Sequence, residues 1–254
     1  MNDQSVHKYQ RGSVMILSDP DQPDTGLGAT SLVSLASFRV GAGIIFLCVD
    51  EKLLPIAQSI VLPEVVVGNF EQVDNFLKGK GVLVCGPGWF VGNSALLAKN
   101  LLDKLLLSKH PFVIDAAVID LIASNDDLWS MLHEKCILTP HGGEAKRLLE
   151  SRGEVNMSDL AKTTEATIIE KGSTTMIFCD DKSWKINKPN RKLAVAGSGD
   201  VLAGIIAGLW AQTPNSLAFD IAKQAVQLHS KAGQKLKFGA LASELADILP
   251  TLKA

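Results

Sequence analysis

The chain lacks any block of like charge. Its 25 Lys and Arg stand against 27 Asp and Glu, for a net charge of −2. A nucleic-acid partner would call for a basic patch, so none is expected. Long hydrophobic runs are also missing. The uncharged apolar stretch Val201 to Ala211 covers about eleven residues, short of the ~20 that span a bilayer, and no membrane partner is expected. Met1-Asn2-Asp3-Gln4 is polar with no apolar region behind it, so no signal peptide is expected. Cysteine is scarce: Cys48, Cys85, Cys136 and Cys179 lie far apart, without metal-ligand spacing or disulfide logic. They read as buried thiols in a reducing cytoplasm. No Gly-x-x-x-x-Gly-Lys-Ser/Thr is present, which excludes a P-loop enzyme. Nor is there a Gly-x-Ser-x-Gly elbow with a serine-hydrolase triad order. His7, His110, His133 and His229 stand alone and read as surface or structural groups.

What remains is a globular composition. A hydrophobic share of 46% supplies a real core, and a charged share of 20% excludes a disordered chain. No linker, repeat or low-complexity tract divides the 254 residues, so a single domain over 1–254 is expected.

Strand-like and helix-like segments alternate. Val14 to Leu17, Ile44 to Val49, Val65 to Val67, Val82 to Cys85, Phe112 to Asp115 and Cys136 to Leu138 are short apolar runs. Continuous runs of this kind fit strands buried on both faces of a parallel sheet. Ala29 to Val40, Ser94 to Leu107 and Glu144 to Glu150 have helical spacing, and almost everything after residue 200 reads as helix. Thr167 to Ile169 and Thr175 to Phe178 bracket a hairpin turn at Lys171-Gly172. The alternation predicts an α/β fold with right-handed crossovers, whose ligands sit at the carboxyl ends of the strands. Gly86-Pro87-Gly88, Asp115, Thr139-Pro140-His141 and Lys171-Gly172 each follow a predicted strand and fall on that one edge.

The most informative stretch is Ala194-Val195-Ala196-Gly197-Ser198-Gly199-Asp200, directly before the apolar run. A Gly-x-Gly turn opening a buried helix makes an anion seat, because the first helical amides lack internal partners and carry the positive end of the dipole. Gly197, Ser198 and Gly199 are the expected anion hole. An aspartate at its mouth would repel a phosphate, but it suits a base that takes a proton from a hydroxyl attacking that phosphate. The residue pattern also fits a tight turn with Asp200 as N-cap.

The other clusters carry similar pairs of readings. Lys171-Gly172-Ser173-Thr174-Thr175 is a polar hairpin tip or a phosphate cradle. Thr139-Pro140-His141-Gly142-Gly143-Glu144 is a helix entry with Glu144 in its first turn, or a substrate contact at His141 with Glu144 holding a water-bound magnesium ion. Beside the Gly86-Pro87-Gly88 turn, Phe90 reads as core, while Trp89 fits core or a ring-stacking pocket wall.

In order along the chain, His7-Lys8, the Gly-Pro-Gly turn, Thr-Pro-His-x-Gly-Glu, Lys-Gly-x-x-Thr and Gly-x-Gly-Asp-Val-Leu-Ala-Gly-Ile-Ile-Ala-Gly-Leu resemble the ADP/ATP-dependent NAD(P)H-hydrate dehydratases. These are carbohydrate-kinase-like members of the ribokinase superfamily. The resemblance runs from about residue 7 to 249, with 197–209 its specific part. It implies a three-layer α/β/α ribokinase-like fold with a mostly parallel central sheet; the family's separate epimerase domain has no room here and is not expected. It implies nucleotide-dependent repair of hydrated NADH or NADPH, with ADP or ATP as phosphoryl donor and Mg2+ as cofactor. Asp200 would be the catalytic base. Lys171, Gly172, Ser173, Thr174, Thr175 and Gly199 would bind nucleotide. Ala29, Gly88, His141 and Asp200 would contact the hydrated dinucleotide. Relatives commonly assemble, so a homo-oligomer is expected.

The sequence departs from the family pattern at Phe90, where a glycine is usual, and at Ala117, where an aspartate is usual. Ala196 and Gly142 are further replacements, and Ser18-Asp19-Pro20 stands in place of a glycine-rich turn. A small-molecule kinase of the superfamily and a nucleotide-binding homologue without turnover share most of these features.

Overall fold

The computed structural model describes residues 8–22, 26–90 and 95–252. His7 of the amino-terminal motif and Ser94, the expected start of a helix, lie outside them.

Among the described residues, nine strands form one sheet. They are β1 (Ser13–Leu17), β2 (Ile44–Cys48), β3 (Val66–Gly68), β4 (Val82–Cys85), β5 (Phe112–Ile114), β6 (Cys136–Leu138), β7 (Thr167–Glu170), β8 (Thr174–Cys179) and β9 (Lys182–Asn187). Their order is β3-β2-β1-β4-β5-β6-β7-β8-β9. β1 to β7 run parallel, and the hairpin expected at Lys171-Gly172 turns the chain into antiparallel β8 and β9. The chain winds outward from β1 through β2 to β3, then returns to β4 on the other side of β1. Such a reversal opens a crevice at the strands' carboxyl ends.

Eleven α-helices are described: α1 (Leu27–Arg39), α2 (Leu54–Ile60), α3 (Gln72–Phe76), α4 (Leu96–Leu107), α5 (Ala117–Ala123), α6 (Asp126–Ser130), α7 (Gly142–Arg152), α8 (Met157–Thr164), α9 (Ser198–Gln212), α10 (Ala218–Lys235) and α11 (Ala242–Ile248). Strand side chains alternate between faces, so each strand feeds two cores. Val14, Ile16, Val82, Val84 and Val113 pack with α1, α9, α10 and α11. Met15, Leu17, Leu83, Phe112 and Ile114 pack with residues of α4, α5, α7 and α8. This is the expected three-layer α/β/α arrangement.

α9 is the central helix of the first core. Eleven of its fifteen residues are buried, which explains a stretch apolar all round. It approaches α1 closely where Gly204 faces Val33 and Ala36, and the Ser37 hydroxyl donates to the Gly204 carbonyl at 3.0 Å. No helix among the described residues is long and apolar enough to cross a membrane. All four cysteines are free, three of them buried and Cys179 half-buried.

The pair beside the Gly-Pro-Gly turn comes out differently from expectation. Phe90, read as core, is 67% exposed, whereas Trp89 is 5% exposed. The reason is a hydrogen bond: the Trp89 indole N–H donates to the Leu17 carbonyl at 2.7 Å, drawing that ring inward. The Phe90 amide instead donates to the buried Asp19 carboxylate at 2.9 Å, and its ring turns outward.

Candidate active site at the strand ends

Four adjacent strands end in the polar residues singled out from the sequence. β4 runs into Gly86, β5 into Asp115, β6 into Thr139 and β7 into Lys171. Because β4 to β7 are parallel, these ends share one edge.

Asp115 ties that edge together. Its buried carboxylate accepts from Thr139 Oγ1 at 2.6 Å and from Lys171 Nζ at 2.7 Å. A buried carboxylate is tolerated when it is paired and hydrogen-bonded in this way. The ammonium of Lys171 is thereby fixed at the lip of the cleft, three-quarters or more covered.

Gly197 sets the opposite wall. Its φ of 88° is left-handed, and a Cβ there would lie 2.5 Å from Leu32 Cδ1 and 2.9 Å from Ala242 Cβ. Only glycine allows this entry into α9. Gly197 is the N-cap and no side chain caps the helix. Asp200 is therefore not the N-cap: it stands in the first turn, near enough to Asp115 and Lys171 at the strand ends to feel their charges. The Ser198 amide is engaged by the Val195 carbonyl at 3.2 Å. The amides of Gly199 and Asp200 donate to no described residue, so they are the open donors of the expected anion hole.

Asp200 is half-buried. Burial, with a further push from the Asp115 carboxylate, raises its carboxyl to about 6, while Lys171 pulls the other way. A carboxylate tuned toward neutrality suits a general base at ordinary pH.

His141 and Glu144 lie on the α7 side. The His141 Nδ1 accepts from the Gly143 amide at 3.0 Å, and Glu144 accepts from the His141 amide at 2.8 Å, closing a capping box. The other Glu144 oxygen is 3.2 Å from His141 Nε2. Burial raises the Glu144 carboxyl, and Lys171 and Asp115 are close enough to act on it. Among the described residues no three His, Cys, Asp or Glu side chains converge to cage a metal directly.

A cavity of about 810 Å³ opens beside this cluster. His141, Lys171, Gly172, Ser173, Thr175, Ser198 and Gly199 line it, and Lys188 to Ala196 and α10 close it. Thr174 does not line it: its hydroxyl donates to Asn187 Oδ1 at 3.0 Å across the hairpin. Ala29 and Gly88 lie outside it as well. Gly88 packs backbone to backbone on Gly26, and Ala29 sits in the first turn of α1, which starts at Leu27. The cavity lies on the Lys171 and α10 side, whereas Gly88 follows β4 and Ala29 stands in α1.

His229 was not singled out from the sequence as part of a site. It projects from α10 into the cavity wall, with Nε2 3.2 Å from Ser198 Oγ. The one hint in the sequence is its position on the otherwise apolar face formed by Ala222, Ala225 and Val226.

Residues 24–251 match the family model described as NAD(P)H-hydrate dehydratase. The chain is 34% identical over 242 residues to the bifunctional NAD(P)H-hydrate repair enzyme Nnr of Coxiella burnetii, covering 91% of this chain and 47% of that protein. It is 28% identical to the ADP-dependent (S)-NAD(P)H-hydrate dehydratase of Listeria monocytogenes, covering 97% and 89% respectively. The chain therefore spans about half the length of the bifunctional relatives it matches. Among solved structures, the ADP/ATP-dependent NAD(P)H-hydrate dehydratase of Bacillus subtilis, co-crystallized with ATP/Mg2+, superposes with a TM-score of 0.76 at 25% identity, covering 99% of this chain and 92% of that one. A ribokinase-like superfamily protein of Enterococcus faecalis gives a TM-score of 0.80 at 26% identity, covering 99% and 89%. Because that family model spans most of its length, the chain belongs to the NAD(P)H-hydrate dehydratase family.

Proposed function

We propose that the chain repairs hydrated NADH and NADPH, using ADP or ATP to phosphorylate the added hydroxyl. The observation that carries this reading is the Asp200 carboxylate, raised to about 6 and set in the same helix turn as two free amides. A base and an anion seat one residue apart are what phosphoryl transfer to a hydroxyl requires.

The nucleotide occupies the cavity, its phosphates reaching the Gly199 and Asp200 amides and the Lys171 ammonium. Gly172, Ser173 and Thr175 supply the hairpin against which it lies. The hydrated dinucleotide enters from the side of Ala29 and Gly88, with His141 beside it. Asp200 takes the hydroxyl proton as that oxygen attacks the terminal phosphorus and the bond to the leaving nucleotide breaks. The ring carbon then loses phosphate, and a ring proton departs to restore the double bond. Lys171 and the amides meet the negative charge that spreads over the moving phosphoryl group.

Magnesium fits the donor set. It keeps several waters and binds through few carboxylates plus phosphates, so it needs no direct protein cage. Both Glu144 oxygens are engaged by His141, so Glu144 would hold the ion through its water shell. When bound, the ion neutralises phosphate charge. Free thiols fit a reducing cytoplasm, and a homo-oligomer fits the family.

The test supplies hydrated NADH with ADP or ATP and magnesium. Recovery of reduced-nicotinamide absorbance with release of inorganic phosphate supports the reading. A stable phosphorylated product would make the protein a kinase, and nucleotide binding without product would leave a binding protein.

A further inference from the structure

The Nε2 of His229 lies 3.0 Å from the Ser198 carbonyl oxygen and 3.2 Å from Ser198 Oγ. A carbonyl oxygen can only accept, which assigns the ring hydrogen to Nε2. That hydrogen is shared between the two Ser198 oxygens. Hence the Ser198 hydroxyl acts toward His229 as an acceptor, and its own hydrogen remains for a third group. Nδ1 is left as the lone-pair nitrogen, and no described residue donates to it. Burial holds the ring at about 4, so it stays neutral and keeps this tautomer at ordinary pH. The Ser198 amide is already engaged by Val195, which leaves the hydroxyl as the one donor Ser198 offers the cavity.

We propose that His229 is a positioning residue that presents the Ser198 hydroxyl as a third donor to the nucleotide phosphates, beside the Gly199 and Asp200 amides. This rests on the nucleotide reading above. Neutral, half-buried and anchored to both oxygens of one residue, the imidazole holds the side chain as well as the entry of α9. The phosphate would meet two amide hydrogens and one hydroxyl hydrogen, all from consecutive residues.

A double-mutant cycle on the full chain tests this, read both as the ADP dissociation constant with magnesium and as turnover of hydrated NADH. Ser198→Ala and His229→Leu should each lose roughly 10- to 100-fold in one or both readouts, the size of a hydrogen bond to a charged group. The double variant should be no worse than the poorer single. His229→Gln, which keeps an N–H donor, should recover most of the loss. Should His229→Leu fail to fold, the cycle runs on His229→Gln and Ser198→Ala alone, where the smaller effect of the former must vanish in the background of the latter. Losses that multiply, or a Ser198→Ala variant within twofold of wild type, would overturn the proposal. A wild-type chain that binds neither ADP nor ATP would instead remove the nucleotide reading, and this inference with it.

Discussion

Asp200 feels one carboxylate, Asp115, and one ammonium, Lys171, and its behaviour follows from that setting. Asp200→Asn should keep nucleotide binding within a few-fold while turnover falls by roughly 10² to 10⁴, the usual range for a general base. Unchanged turnover would remove it from the mechanism. In the wild type, kcat/KM should fall below a pH of about 6, because the base must be ionised to act. Asp115→Asn should move that acid limb downward but not fully to the ordinary carboxylate range, since burial is the larger cause of the shift. An acid limb that stays in place would mean the two carboxylates do not communicate. Lys171→Ala removes the ammonium that Asp115 holds at the cleft. Its ADP dissociation constant should rise by at least roughly 10-fold, as expected for a lost charge-assisted contact.

At the level of elements, the α1–α9 contact decides a stability experiment. A Cβ at Gly204 would lie 2.5 Å from the Val33 carbonyl oxygen and 2.7 Å from Ala36 Cβ. Gly204→Ala gains about 1 kcal/mol of helix propensity. Overpacking against backbone costs about 1 to 3 kcal/mol and wins, so the urea midpoint should fall. Gly142, which begins α7 with nothing within 4 Å of a built Cβ, is the control: Gly142→Ala should hold or raise the midpoint. Equal responses at the two positions would refute the packing argument. The elements differ in how far the sequence reveals them. β1, β2 and β4 to β7 are legible because both faces are covered and their apolar runs are continuous. β9 reads Lys-Ser-Trp-Lys-Ile-Asn, an edge strand with mostly exposed residues, and lacks that signal. α2, α3, α5, α6 and α8 have at most eight residues each, too short for a helical period to stand out. The strand-end cluster was legible because each polar group directly follows an apolar run. His229 was not, because only the packing of α10 on α9 brings it to Ser198. Phe90 misled because exposure there is set by which of two neighbours finds a buried partner.

Across the whole molecule, acid stability is a contest between groups shifted in opposite directions. Burial lowers His133 and His229 to about 4 in the folded protein, against 6.5 unfolded. As pH falls from 6.5 to 4 the unfolded chain takes up protons that the folded chain refuses, and stability is lost. Asp200 works the other way: it is raised from 3.8 to about 6, so its ionised form costs stability above 6 and that cost disappears as pH falls toward 3.8. Glu144, whose carboxyl burial also raises, works in the same direction as Asp200, so the decline in melting temperature that the two histidines drive between pH 6.5 and 4 is offset in part by two carboxylates. Asp200→Asn should be more stable than wild type above pH 6 and should decline more steeply on acidification. Parallel melting curves for the two proteins would contradict this balance. The Asp115 carboxylate has a further consequence at this scale. Its two partners arrive on separate neighbouring strands, after separate helices, and meet within one hydrogen-bond length. A chain that refolded with β7 slipped by a single position against β6 would turn Lys171 to the wrong side of the sheet. It would remain compact, yet dead. Recovered activity after denaturation therefore gauges whether the strands have mated in step, a question that bulk spectroscopy of helix and strand content does not answer.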